Sequence, residues 1–229
     1  MNSVVIIPAY NEEKSIGKVI ESIPKDLISE IIVVNNGSTD MTVANAINSG
    51  ATVLNESLHG YGAACLKGIE YLKGKNFDIV VFLDGDFSDF PEEMNLILNP
   101  IINDNYDFVV GSRVMGSREA GSLPFQSRFG SIIAGFLINV FWGIKYTDLG
   151  PFRAIKYKEL IALNMRDKWY GWTVEMQIKA AKKKYKILEV PVSYRKRIGK
   201  SKVTGTLKGT FMASLIILKT IFAQLFVDY

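Results

Sequence analysis

Asp84 and Asp86 stand on either side of Gly85, directly after the apolar run Val80-Val81-Phe82-Leu83. An apolar, β-prone run that halts at two carboxylates reads as a buried parallel strand. Its C-terminal tip delivers acid groups to the sheet edge where open α/β folds bind ligands. Residues two apart point to opposite faces of a continuing strand, but Gly85 lets the backbone turn so that both carboxylates converge. Hard oxygen ligands of this kind suit Mg²⁺ or Mn²⁺ bridging a diphosphate. The same three residues also occur as a polar turn that merely closes a strand, so the pattern takes its weight from its surroundings. Farther along lie Arg113, Arg128 and a basic run over 195–202. A metal, a diphosphate and a second anion fit this inventory; a solvated charge run is the plain alternative for 195–202.

A chain of 229 residues carrying a formal charge of +4 can bury the core of one large α/β domain. The charge is too small, without a basic stripe, to argue for nucleic acid, and fits anionic substrates or an anionic membrane surface. Cys65 is the single cysteine, which excludes a disulfide framework and a cysteine-based zinc site. Met1-Asn2-Ser3 leads straight into an apolar strand, so a signal peptide is not expected and a reducing, cytoplasmic compartment is. The single histidine, His59, makes a His-dependent triad a weak reading; it is expected to be structural or solvent-facing.

The elements that must position the acids follow from hydrophobic period. Val4-Val5-Ile6-Ile7 and Ile31-Ile32-Val33-Val34 read as buried strands, separated by a helix through Ile16, Val19, Ile20 and Ile23. Asn35 to Asp40 form the loop after the second strand, with Ser38 or Thr39 able to cap the next helix. A short third strand over 52–54 leads through Gly60-Tyr61-Gly62 into a helix over 63–72, whose first amides could face an anion. Strands over 78–83, 107–111 and 187–192 and a helix over 91–103 continue the alternation, which means a parallel-rich sheet with helices on both faces. The rhythm breaks after Arg113. A loop over 114–124 and an apolar helix over 125–142 come next; Asp148 to Arg153 turn the chain into another short strand. A helix follows, capped by Thr173 and carrying Glu175 in its first turn. The last stretch, 207–227, is apolar but interrupted by Lys208, Lys219 and Gln224, too broken to span a bilayer. It reads either as an interfacial helix, with Phe211, Leu215, Leu218, Phe222 and Leu225 toward lipid, or as a helix packed on the body or on a second subunit. The expected division is a domain over 1–205 and this C-terminal helix over 206–229.

Four motifs at strand-to-loop junctions carry a resemblance: Ile7-Pro8-Ala9-Tyr10-Asn11-Glu12, Val34-Asn35-Asn36-Gly37-Ser38-Thr39-Asp40, Gly60-Tyr61-Gly62-Ala63 and Asp84-Gly85-Asp86. In this order they resemble family 2 glycosyltransferases of the GT-A fold, a Rossmann-like three-layer sandwich with a mostly parallel central sheet. Gly111-Ser112-Arg113, the segment Tyr146 to Ala154, Glu175-Met176-Gln177 and Gly199-Lys200-Ser201-Lys202 resemble the branch with dolichyl-phosphate mannose synthases and polyprenyl-phosphate sugar synthases.

That resemblance implies inverting transfer of a sugar from a GDP- or UDP-sugar to a polyprenyl or dolichyl phosphate, peripheral to the cytoplasmic face of a membrane. It places Pro8, Ala9, Tyr10, Glu12, Asn36 and Asp40 around the nucleoside, with Gly62, Gly85 and Lys202 beside the donor, and Asp84 and Asp86 at the metal and diphosphate. Asn36 departs from the aspartate of many relatives, and a neutral amide leaves the base more open. Ser88 stands where mannose synthases often have glutamine. A phosphate acceptor is already anionic and needs chiefly cations to hold it against the sugar carbon, for which Arg113, Arg128, Lys200 and Lys202 are candidates. Lys200 and Lys202 are equally candidates for clamping the donor diphosphate. Glu175 is a candidate contact to the sugar, or a base, and Asp148 a candidate in its own motif. Trp169, Tyr170 and Trp172 offer a sugar platform or plain core. The rival readings are a transferase acting on a saccharide or soluble hydroxyl, with Glu175 or an aspartate as base, and a nucleotide-sugar-binding scaffold. A homo-oligomer built through the C-terminal helix is a further expectation.

Overall fold

The computed structural model describes residues 1–199 and 207–227. β1 (Ser3–Ala9) and α1 (Ile16–Ser22) are followed by β2 (Glu30–Asn35), α2 (Thr42–Asn48), β3 (Thr52–Asn55), α3 (Tyr61–Tyr71) and β4 (Ile79–Phe82). A 3-10 turn at Pro91–Glu93 opens α4 (Met94–Asp104), and β5 (Phe108–Ser112) precedes the long α5 (Phe125–Trp142). The chain then makes β6 (Arg153–Lys156), α6 (Tyr157–Leu163), α7 (Trp172–Lys182), β7 (Ile187–Pro191) and α8 (Leu207–Leu225).

The seven strands form one sheet in the order β3-β2-β1-β4-β6-β5-β7. Every pairing is parallel except those of β6, which runs antiparallel between β4 and β5. Period-two alternation splits the core into two layers. Val4, Ile6, Val80 and Phe82 face a cluster that takes in Ala64, Ala134, Ile138, Trp172 and Ile178, from α3, α5 and α7. Val5, Ile7, Val33 and Val81 face the opposite cluster, with Ile16, Ile20, Ala46 and Ile97 from α1, α2 and α4. The strands carry apolar side chains on both faces because both faces are covered, as a parallel sheet requires. The three-layer α/β expectation is met.

Local details differ from expectation. β6 breaks the parallel pattern, and the turn before it is held by buried Arg153, whose guanidinium donates to the carbonyls of Leu149, Gly150 and Thr173. α6 was not expected; it follows β6 directly, with no turn residues between them to mark its start. Ser38 caps nothing: its Oγ accepts from Asn11 N at 2.9 Å, and α2 starts later, with Asp40 Oδ1 accepting from Thr42 N at 3.0 Å. Thr173 is not a cap either, since α7 begins at Trp172 after Gly171.

α8 packs across α5 and α7, burying Ala213, Ile221 and Gln224. Lys182 Nζ donates to the carbonyls of Gln224 and Val227 and so closes the helix C-terminus, where a cation opposes the dipole. The outer face exposes Met212, Leu215, Phe222 and Leu225.

Candidate active site

β4 ends at Phe82, and the chain turns through Asp84-Gly85-Asp86 at the C-terminal edge of the sheet, beside the tips of β1 and β2. Phe87 sits in the left-handed region at φ 62°, which tightens the turn and lets Asp86 Oδ1 accept from both Ser88 N and Ser88 Oγ. A segment more than 100 residues downstream straps this turn in place. Arg195 donates from Nε to Phe87 O at 2.8 Å and from Nη2 to Asp89 O at 2.9 Å, and Ile198 N donates to Asp86 O at 3.0 Å. Arg197 Nη1 meets Asp86 Oδ2 at 2.8 Å.

The acids crowd one another. Burial, and then the Asp86 charge, push the Asp84 carboxyl up to about 6, and Asp84 Oδ1 is buried with no hydrogen-bond partner. Asp89 is buried with neither oxygen partnered, and burial followed by the Asp84 charge raises its carboxyl well above the usual range. An orphaned carboxylate oxygen among hard donors fits a divalent cation held by one or two carboxylates and completed by phosphate oxygens. Asp84 and Asp86 are the candidate residues to hold it, with the Asp86 oxygens here engaged by Ser88 and Arg197.

A cavity of about 570 Å³ opens in front of the acids, lined by Pro8, Ala9, Tyr10, Glu12, Asn36, Gly85, His59, Trp169, Tyr170 and Arg197, with Asp84 and Asp86 at its base. Pro8, Ala9, Tyr10 and Glu12 of the first strand-tip motif therefore line the cavity. Asn36 is on the wall, but its amide is already engaged: Nδ2 donates to Glu56 O (3.1 Å) and Leu58 O (2.8 Å), and Oδ1 accepts from Gly60 N at 2.7 Å. An aspartate could not make the two donations, so Asn36 fixes the 56–60 loop. That loop brings His59 to the rim, edge-on to Tyr10 with centroids 5.7 Å apart. Asp40 is not on the wall; besides starting α2 it accepts from Glu13 N at 3.2 Å. The amides after Gly60 do not face an anion: Gly62 N donates to Trp169 O (3.2 Å) and Ala63 N to Lys168 O (3.0 Å). Gly62 is off the wall because its role is contact with that loop, where a Cβ would lie 2.1 Å from Asp167 O.

A second cavity of about 240 Å³ shares Tyr61, Asp84, Tyr170 and Arg197 with the first, and runs out between α5 and α8 past Pro124, Gly130, Ala213 and Ile217. Arg113 lies on its wall, locked by Asp148: Nε to Oδ2 is 2.7 Å, Nη2 to Oδ1 2.8 Å and Arg113 N to Oδ2 3.0 Å. Burial alone would raise the Asp148 carboxyl, but the Arg113 charge together with the hydrogen bonds from Arg113 and Ser131 holds it below its usual value. Arg128 stands exposed on α5 and lines neither cavity, because helical spacing turns it away from the wall formed by Ser127, Gly130 and Ser131. Lys200 and Lys202 lie outside the described residues. Glu175 reaches neither cavity; its buried carboxylate accepts from Arg166 N and Asp167 N and pairs with Lys179 at 2.6 Å. Sequence reasoning missed Arg197, Asp89 and Tyr61. Only the basic run Arg195-Lys196-Arg197 directly after Tyr194 hinted at Arg197.

Residues 4–162 match the model of glycosyl transferase family 2. The chain belongs to this family. Among its relatives, the UDP-N-acetylglucosamine–dolichyl-phosphate N-acetylglucosaminyltransferase of Methanococcus voltae is 31% identical over 209 residues, covering 82% of this chain and 83% of that protein. The undecaprenyl-phosphate mannosyltransferase of Micrococcus luteus is 27% identical over 224 residues, covering 91% and 90%. Glucosyl-3-phosphoglycerate synthase from Mycobacterium tuberculosis, solved with Mn²⁺, UDP and phosphoglyceric acid, superposes with a TM-score of 0.78 at 22% identity, covering all of this chain and 80% of that one. That likeness establishes the GT-A fold. This family 2 chain is thus a glycosyltransferase, with its acid turn where the fold opens at the strand tips.

Proposed function

We propose that this glycosyltransferase moves a sugar, with inversion, from a GDP- or UDP-sugar to a polyprenyl phosphate at a membrane surface. One observation carries the reading: the large cavity over the acid turn and the smaller one between α5 and α8 meet at Tyr61, Asp84, Tyr170 and Arg197. The first has the size and the polar base for a nucleoside diphosphate sugar. Among the described residues, Asp84 is the only acid on the wall of the second, and it faces the donor. A hydroxyl acceptor needs a base there, whereas a phosphate monoester does not.

Arg113, held rigid by Asp148 and with its guanidinium 5.0 Å from the Tyr194 ring, presents a fixed charge to the acceptor phosphate. An acceptor phosphate oxygen attacks the anomeric carbon from the face opposite the leaving group. The bond from that carbon to the nucleoside diphosphate breaks with its electron pair, and no proton need be removed. Asp84 and Asp86 would hold Mg²⁺ or Mn²⁺, which supplies neutralisation of charge on the departing diphosphate. Arg197 exchanges Asp86 for phosphate oxygens when the donor enters, and so stays at the seam between donor and acceptor.

The surface around the second cavity supports a lipid-borne acceptor. α5 exposes Phe125, Phe129, Ile132, Phe136 and Val140, and it joins the outer face of α8 through Phe141 and Phe222, whose rings lie 6.2 Å apart. Among the described residues no helix is long and apolar enough to cross a membrane. Two adjacent helices with such a face suit the interfacial plane. The test is a panel of labelled GDP- and UDP-sugars with polyprenyl phosphate and Mg²⁺ or Mn²⁺. Label should move into organic solvent, and Asp86→Ala should reduce transfer to background with the fold intact. Label transferred instead to a water-soluble saccharide, with none extracted, would overturn the acceptor.

A further inference from the structure

The strongest feature left unused by the transfer chemistry is the buried pair Glu175 and Lys179, 2% and 1% exposed, on the side of α7 that carries residues 164–171. Glu175 accepts from Arg166 N at 3.1 and 3.2 Å and from Asp167 N at 2.8 Å, and Lys179 Nζ, 2.6 Å from Glu175 Oε1, donates to Asn164 O at 2.7 Å. The same loop is held from the other side by α3, through Gly62 N to Trp169 O and Ala63 N to Lys168 O. That approach needs bare glycines: a Cβ on Gly60 would lie 2.2 Å from Lys168 O, and one on Gly62 2.1 Å from Asp167 O. Within the loop, Asp167 Oδ1 accepts from Trp169 N at 2.7 Å.

We propose that Glu175 is a positioning residue: together with Lys179, Gly60 and Gly62 it clamps the 164–171 loop so that Trp169 and Tyr170 form one wall of the donor cavity. The inference rests on the donor-cavity reading above and gives Glu175 a role distinct from a base. Two backbone amides and an ammonium group converge on this carboxylate, which is absent from both cavity walls. What it controls is the placement of Trp169, on the donor wall, and of Tyr170, on both. A binding wall must be held to within about 0.5 Å of its productive geometry, and main-chain hydrogen bonds with glycine contacts are the means of fixing this loop. Gly60-Tyr61-Gly62 and Glu175, more than 100 residues apart in sequence, serve one loop.

Glu175→Gln and Gly62→Ala perturb the clamp from opposite sides. Each should raise the donor KM at least tenfold, lower kcat by a smaller factor and leave the shape of the kcat–pH profile unchanged. The tryptophan fluorescence change on titrating UDP or GDP alone, whichever the wild type binds, should shift to at least tenfold higher nucleotide in both, and Trp169→Phe should abolish it. If Glu175→Gln destabilises the fold by leaving the buried Lys179 charge without its carboxylate, Glu175→Gln/Lys179→Met removes that charge and should show the same KM pattern. A loss of kcat above a hundredfold with donor KM unchanged and one limb of the pH profile gone would make Glu175 a base and overturn the proposal. So would a normal donor KM in folded Gly62→Ala. The nucleotide titration needs no turnover, so it decides the clamp even if the wild-type chain transfers no sugar to lipid and the function proposal fails.

Discussion

Asp84→Asn should stabilise the metal-free protein while removing its activity, because the fold carries this carboxylate at a penalty. Moving the carboxyl from its usual 3.8 to about 6 corresponds to about 3 kcal/mol at pH 8. The sign follows from linkage: the folded state holds the proton more tightly than the unfolded chain, so stability falls as pH rises from about 3.8 to about 6 and then levels off. A neutral asparagine escapes that loss. For a chain of this length the gain is a melting temperature roughly 6–12 °C higher at pH 8 in chelator, and about 3 kcal/mol is its ceiling because the amide is also buried. At pH 4 the wild-type carboxyl is protonated in the fold and the difference shrinks to about 0.5 kcal/mol. Paired thermal melts of both proteins at pH 8 and pH 4, with chelator and again with Mg²⁺ and nucleoside diphosphate, make the measurement. Ligand with metal should raise the wild-type melting temperature and leave the variant unmoved. A variant melting at or below the wild type at pH 8 in chelator would refute the reasoning that Asp84 is a strained, functionally retained charge.

Arg113→Lys keeps the charge but loses the two-pronged contact with Asp148, so lipid-phosphate use, read as kcat/KM for the acceptor, should drop at least tenfold while UDP affinity stays within twofold. Equal losses on donor and acceptor would remove Arg113 from the acceptor side. Phe129→Glu/Phe136→Glu places two charges on the exposed face of α5 and should abolish sedimentation with anionic phospholipid vesicles at unchanged UDP affinity and melting temperature. Vesicle binding unaltered by both charges would place the lipid contact elsewhere.

The amino-acid order alone determined the strands, because each buried parallel strand needs an unbroken apolar run, and Val4 to Ile7, Ile31 to Val34 and Val80 to Leu83 have one. It also determined that carboxylates cap β4, since Asp84, Gly85 and Asp86 follow the last apolar residue directly, and the ordered motifs pointed to the family. Tertiary structure decided which charges meet. Arg128 and Arg113 look alike in the sequence, yet one faces solvent and the other is locked on Asp148, a choice made by the rotation of α5 and by the turn before β6. Glu175 reads as a free acid in a helix first turn until residues 164–171 fold onto it and take its oxygens. Arg197 and Arg195 read as a solvated run until the 194–198 segment crosses the acid turn. Hydrophobic period records how deeply each residue is buried, which is a local property. The partner of a charged side chain depends on where loops tens of residues away come to rest, and only the closed fold fixes that.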